Sequence, residues 1–281
     1  MLKILIPTDL SENALKATAY ATELFKHGPA QIILLHAFAD EVYEMKSVKV
    51  DVGLDDLKDE IFHRTQNALE ALKNKIFDFS PNPKHNIRCV PEFGMLVDAV
   101  NDWVEKENID VVVMGTKGQT ADKKITFGSN TLQVIKYVKC PVLAIPEGCE
   151  LNPPGNILFS TDLLLPYKRR ELKLLSNLAK RFAARINFLY VSQFESLSFR
   201  QRDNKEFLES NFDQNRTRFH HEPGEDITTA MNNFILENDI DMLVMVNTRH
   251  SYLENILYQS TIEKIGLHIH IPFLVMQNLP R

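Results

Sequence analysis

Four blocks of this chain occur twice, in the same order and with similar spacing. Ile4-Leu5-Ile6-Pro7-Thr8-Asp9-Leu10 is echoed by Ile157-Leu158-Phe159-Ser160-Thr161-Asp162-Leu163, and Ile32-Ile33-Leu34-Leu35-His36 by Ile186-Asn187-Phe188-Leu189-Tyr190. Asn108-Ile109-Asp110-Val111-Val112-Val113-Met114 matches Asp239-Ile240-Asp241-Met242-Leu243-Val244-Met245, and Cys140-Pro141-Val142-Leu143-Ala144-Ile145 matches Ile271-Pro272-Phe273-Leu274-Val275-Met276. One shared block is within reach of chance; four in order point to an internal duplication. The Gly/Pro-rich stretch 147–154 reads as the linker, which gives domains over 1–146 and 155–281.

Within the first copy, strand and helix patterns alternate. Leu2–Ile6 and Gln31–Ala37 are nearly continuous apolar runs, as in parallel strands covered on both faces. Ser11–Phe25 carries a packing stripe of helical period, and Leu54–Phe77 a longer one that Ser80-Pro81-Asn82-Pro83 closes. Residues 38–53 show no clear period and read as a loop. Ile87–Pro91 is a short strand, a helix follows Gly94, and Asp110–Met114 and Val142–Ile145 complete the set. Connections of this length imply an α/β fold, a five-stranded parallel sheet flanked by helices in each copy. In such sheets ligands bind beyond the carboxyl ends of the strands, where the strand order switches, so Thr8, Asp9 and Gly115 are expected to meet.

After the fourth strand comes Met114-Gly115-Thr116-Lys117-Gly118, then nine residues from Gln119 to Phe127, then Gly128-Ser129-Asn130-Thr131 at a helix start. Two glycines after a strand would serve a turn as well as a phosphate loop. A helix start with bare backbone before it nonetheless suits a phosphate, through unpaired N–H groups and the positive end of the helix dipole. In the second copy Val246, Arg249, Gln259 and Ser260 keep the spacing and lose all three glycines. The fold therefore does not need Gly115, Gly118 and Gly128 merely to close the loop, and their presence in one copy suggests a ligand.

At these residues the chain resembles the universal stress protein family, in its tandem two-domain form with Rossmann-like (adenine nucleotide alpha hydrolase-like) domains. ATP-binding members of that family carry glycine, two residues, glycine, nine residues, glycine and then serine or threonine, a pattern that Gly115, Gly118, Gly128 and Ser129 match. The resemblance implies that Pro7, Thr8 and Asp9 line the adenosine end of a bound ATP or related adenine nucleotide, with Ala37 offering backbone contacts to the base. Met114 and Gly115 would pack near base and ribose, and Gly118, Gly128, Ser129, Asn130 and Thr131 would hold the phosphates. Asp9 and Ser129 have a plainer alternative as helix caps. Lys117, Lys123 and Lys124 flank the loop, and Asp122 is a weak candidate for holding Mg or Mn beside the phosphates. The resemblance further implies pairing of Val142–Ile145 with Phe273–Met276 in an intramolecular pseudo-dimer; a homodimer of chains stays open.

The rest of the sequence narrows the function classes. A formal net charge of −5 argues against nucleic acid as a partner. No apolar stretch approaches the roughly 20 residues of a membrane span and no signal peptide is evident, so the cytoplasm is the expected compartment. Cys89, Cys140 and Cys149 lack CxxC spacing and read as free thiols. His220-His221 and His268-Ile269-His270 lack the spacing of a metal site. No GxSxG, HExxH or GK[ST] motif is present, which leaves a nucleotide-responsive regulatory or protective protein as the expected role. Slow ATP hydrolysis and binding of a non-nucleotide ligand are the alternatives.

Overall fold

The computed structural model describes residues 1–117, 127–164, 167–247 and 270–278. The chain divides into two compact units, Met1–Glu147 and Gly148–Arg281.

The first unit runs β1 (Leu2–Pro7), α1 (Glu12–Leu24), β2 (Ala30–Ala37), α2 (Ala39–Val48), α3 (Leu54–Phe79), β3 (His85–Glu92), α4 (Leu96–Glu107), β4 (Val111–Gly115), α5 (Ser129–Tyr137) and β5 (Val142–Ile145). Its strands lie in the order β3-β2-β1-β4-β5, every pairing parallel. Ile4, Leu5, Ile32, Ile33, Val112 and Val113 are 0% exposed, because helices cover both faces of the sheet and both faces of each strand must be apolar. From β1 the chain builds outward to β2 and β3, then returns to place β4 on the opposite side of β1. The strand order thus switches between β1 and β4, and the crevice beyond their carboxyl ends is where such sheets take ligands.

The second unit repeats the plan: β6 (Asn156–Ser160), α6 (Arg169–Arg181), β7 (Arg185–Val191), α7 (Phe199–Asn211), β8 (Arg216–Glu222), α8 (Ile227–Glu237), β9 (Met242–Asn247) and β10 (Phe273–Gln277), in the parallel order β8-β7-β6-β9-β10. The repetition extends to small devices. Asp110 Oδ2 accepts from the N–H of Lys3 at 2.9 Å, and Asp241 Oδ2 accepts from that of Asn156 at 2.7 Å. Asn108 and Asp239, the matching residues after α4 and α8, both take left-handed backbone (φ 53° and 48°), which Asn and Asp tolerate best after glycine.

One expected loop is a helix. α2 occupies most of 38–53, and its buried contribution is Ala39 and Val42. Two residues make no visible stripe, and Phe38 at the N-cap offers no capping oxygen. α2 is held instead by tertiary packing, with Phe38 and Val42 forming an apolar cluster with Leu57 and Ile61 of α3. The second unit has a single helix between β7 and β8, with no counterpart of α2 among its described residues. No described helix is long and apolar enough to cross a membrane.

Candidate functional site

Beyond β1 the chain makes a tight, self-bonded turn. Thr8 N–H donates to Leu35 O at 2.9 Å, Thr8 Oγ1 accepts from Leu10 N–H at 3.0 Å, and Asp9 Oδ1 accepts from Ser11 N–H at 3.1 Å. These bonds hold Leu10 at φ 62°, a backbone region that a side chain with a Cβ enters at a cost of about 1–2 kcal/mol. Ser11, not Asp9, caps α1, its Oγ accepting from Ala14 N–H at 3.2 Å. Pro7 and Thr8 are buried, Asp9 is half-buried, and Ala37 ends β2 beside Glu92 of β3.

The second unit builds the same turn. Thr161 Oγ1 accepts from Leu163 N–H at 2.9 Å, Asp162 Oδ1 accepts from Leu164 N–H at 2.8 Å, and Leu163 stands at φ 59°. The Thr-Asp turn therefore belongs to the fold of both copies, whether or not a glycine loop accompanies it.

Beyond β4 the two ends of the glycine loop are fastened together. Thr116 O accepts from Gly128 N–H at 2.8 Å, and the Thr131 hydroxyl lies 3.0 Å from Gly115 O and 3.1 Å from Thr116 O. The one hydroxyl proton of Thr131 is thus committed inside the fold. Gly128 is the N-cap of α5 and no side chain caps that helix, so Ser129 is its first residue and not its cap. Ser129 and Asn130 are exposed. The first amides of a helix have no intrahelical acceptor, and with no capping side chain among the described residues those of Ser129 and Asn130 suit an anion. Gly118, Asp122, Lys123 and Lys124, with Arg249, Gln259, Ser260 and His268 of the second copy, lie outside the described residues.

A residue that the sequence motifs do not mark joins the two turns. Asn13, buried on α1, donates from Nδ2 to Lys117 O at 2.8 Å. A Cβ placed on Gly115 would lie 2.6 Å from that nitrogen and 3.0 Å from Asn13 Cγ. Gly115 does not have left-handed backbone, so the missing side chain serves space. Its bare face is turned toward Asn13, and Asn13 pins the loop from beneath. Asn13 is the second residue of α1 and the second residue of α6 is Arg170, while Val246 stands opposite Gly115. Arg170 is exposed where Asn13 is buried, and valine would not fit against an asparagine at this distance. Glycine and asparagine are present together in one copy and absent together from the other, a match hidden in the sequence because the second copy has four more residues between the turn and the helix. Asn13 Oδ1 is buried without a hydrogen-bond partner among the described residues.

In the second unit, side chains of its own surround the corresponding turn. Gln201 of α7 donates to Asp162 O at 3.0 Å and to the Tyr190 hydroxyl at 3.1 Å, and Asn204 donates to Leu163 O at 2.7 Å. The Tyr167 hydroxyl is bonded to Thr161 Oγ1. Burial raises Asp162 above the usual carboxylate range, although the Leu164 N–H bonded to it works the other way. His220 packs edge-on against Phe234 and bonds to Asn187, and His221 bonds to Ser192 O, so both are accounted for by local structure. Among the described residues no group of three or more His, Cys, Asp or Glu is placed to hold a metal ion.

The sequence profile described as the universal stress protein family matches residues 1–146. A universal stress protein of Methanocaldococcus jannaschii is 26% identical over 155 residues, covering 51% of this chain and 93% of that protein. Universal stress protein G of Escherichia coli O157:H7 is 28% identical over 144 residues, covering 50% and 96%. Among solved structures, a universal stress protein from Archaeoglobus fulgidus aligns over 98% of this chain and 96% of its own with a TM-score of 0.67 and 20% identity, a likeness of fold. The profile spans more than half of the 281 residues and ends one residue before the boundary between the two compact units, and on that match the chain belongs to the universal stress protein family.

Proposed function

We propose that the first unit binds ATP or a related adenine nucleotide across the switch between β1 and β4, and that the protein acts as a nucleotide-responsive regulatory or protective protein. The observation that carries this reading is the uncapped start of α5. The Gly128 N–H is taken by Thr116 O, whereas the amides of Ser129 and Asn130 at the start of α5 meet no capping side chain among the described residues. In this reading Gly118, Ser129, Asn130 and Thr131 bind phosphate through backbone N–H groups, and Gly128, its own N–H held by Thr116 O, lets the phosphate approach the bare backbone. Pro7, Thr8, Asp9, Ala37 and Met114 border the adenosine, and Gly115 acts through Asn13.

The second unit is, in the same reading, a degenerate copy that binds no nucleotide. Two features support this: the glycine positions carry Val246, Arg249 and Gln259, and the carbonyls of Asp162 and Leu163 are already bonded to Gln201 and Asn204.

Calorimetric titration of the full chain with ATP and ADP tests both parts. One adenine nucleotide per chain is expected, with binding weakened at least about 10-fold by Gly128→Gln, the residue type at the matching position of the second copy, through loss of roughly 1.4 kcal/mol. Absence of saturable binding would reject the first part, and a second equivalent nucleotide the second. Phosphate release above background in the same samples would favour the hydrolytic alternative.

A further inference from the structure

His36 ends the buried run of β2 immediately before Ala37, and both of its ring nitrogens face acceptors. Nδ1 lies 2.7 Å from the carbonyl oxygen of Thr8, and Nε2 lies 2.7 Å from Glu41 Oε1 on α2. The ring is buried, with 10% of its side-chain surface exposed. A carbonyl oxygen has no proton to give, so Nδ1 must carry one. A carboxylate likewise only accepts, so Nε2 must carry the second, or Glu41 must itself be protonated. The other oxygen of Glu41 is paired with the Arg64 guanidinium of α3. Glu92, on the adjoining β3 beside Ala37, already accepts from Trp103 Nε1 at 3.0 Å.

We infer that His36 is a positioning residue held as the imidazolium, a charged clamp between Thr8 O and the Glu41–Arg64 pair that sets the turn bordering the candidate adenosine site. The functional half of this inference rests on the nucleotide-binding reading; the proton count does not. The clamp ties the β1 turn to α2, a helix with no counterpart among the described residues of the second unit. In the second unit the matching residue is Tyr190, a single hydroxyl that accepts from Gln201, so the charged arrangement is confined to the copy with the glycine loop.

The decisive measurement is the nitrogen NMR spectrum of the full chain carrying ¹⁵N-labelled histidine, at neutral pH and without nucleotide. The His36 ring is assigned by the signals missing in His36→Phe. Both of its nitrogens are expected in the protonated range. Glu41→Gln keeps the size of the partner and can donate to Nε2, so it is expected to convert the ring to the neutral form with its proton on Nδ1. A wild-type ring with one bare nitrogen, or a spectrum indifferent to Glu41→Gln, overturns the clamp.

The positioning role is read by hydrogen exchange at Leu10 and Ser11, whose N–H groups bond to Thr8 and Asp9. These amides are expected to exchange about 10-fold faster in His36→Phe while the core strands are unchanged. Unchanged loop exchange would reduce His36 to core packing and refute the role. Nucleotide affinity should fall about 2- to 10-fold in the same variant, the worth of one hydrogen bond. Equal affinity in the two proteins would overturn the link to the site, whereas a wild type that binds no adenine nucleotide removes the nucleotide-binding reading and leaves the ring spectrum to decide the clamp.

Discussion

Replacing Gly115 by alanine should change sign with its neighbour. In the wild type the new methyl group would sit 2.6 Å from Asn13 Nδ2 and 3.0 Å from Cγ, in a buried place where the amide is tied to Lys117 O. Overpacking of this kind costs about 1–3 kcal/mol. Asn13→Ala removes both atoms and leaves only the Asn13 backbone oxygen, 3.3 Å from the new methyl group, which a small shift relieves. The backbone at Gly115 is not left-handed, so in that background alanine restricts the unfolded chain without strain and should stabilise by about 0.4–1 kcal/mol. Asn13→Ala by itself gives up one hydrogen bond, about 0.5–1.5 kcal/mol. The protein contains one tryptophan, Trp103 on α4, so urea unfolding followed by its fluorescence reports the first unit within the full chain. The two single variants, the double variant and the wild type form a cycle with a coupling energy of about 1.4–4 kcal/mol, from within the usual range for neighbours in contact to somewhat above it. If Gly115→Ala is equally costly with and without Asn13, the glycine is not there to admit the asparagine, and its bareness must serve something else.

Four further outcomes are expected. Leu10→Gly removes the strain of the left-handed turn at a residue 37% exposed and should be neutral or stabilising by up to about 1 kcal/mol in the same fluorescence assay. Leu163→Gly makes the same backbone change at a residue 1% exposed, where the lost packing of about 2–5 kcal/mol outweighs the relief, so thermal melts by circular dichroism should show net destabilisation. Asp162→Asn should stabilise the protein at neutral pH, because burial raises the folded carboxyl above its unfolded value. That gain should vanish as pH falls below the ordinary carboxylate range, where both states are protonated, and a pH series of melts reads it. The thiols of Cys89 and Cys149 are pushed up to about 12 and about 11, chiefly by burial and then by Glu70 and Glu150, so with Cys140 buried all three should alkylate slowly at pH 7.5 and fast in denaturant.

The sheets were legible because parallel strands covered on both faces announce themselves as unbroken apolar runs, and Leu2–Pro7, Ala30–Ala37 and Val142–Ile145 fall within a residue of where those runs lie. α2 was not legible, since its stability resides in contacts with the next helix, α3, that no stripe within α2 itself announces. At the site, the loop and helix start could be read from spacing, but the division of labour within them could not. Thr131 has the composition of a phosphate ligand, yet its hydroxyl ties the loop ends together. Asn13 and His36 match no motif, and each becomes visible only when the copies are compared and Arg170 and Tyr190 are found in their places.

The leucines at the β1 and β6 turns carry a consequence for how such a chain can change over generations. Leu10 and Leu163 hold the same unfavourable backbone in two copies whose surroundings differ, so the turn belongs to the fold and does not depend on the glycine loop. A domain of this design keeps the turn with the glycines or without them, and in the second unit the side chains of α7 are bonded to its carbonyls. Substitutions in a helix such as α7 can therefore change what those carbonyls meet without unmaking the turn that presents them.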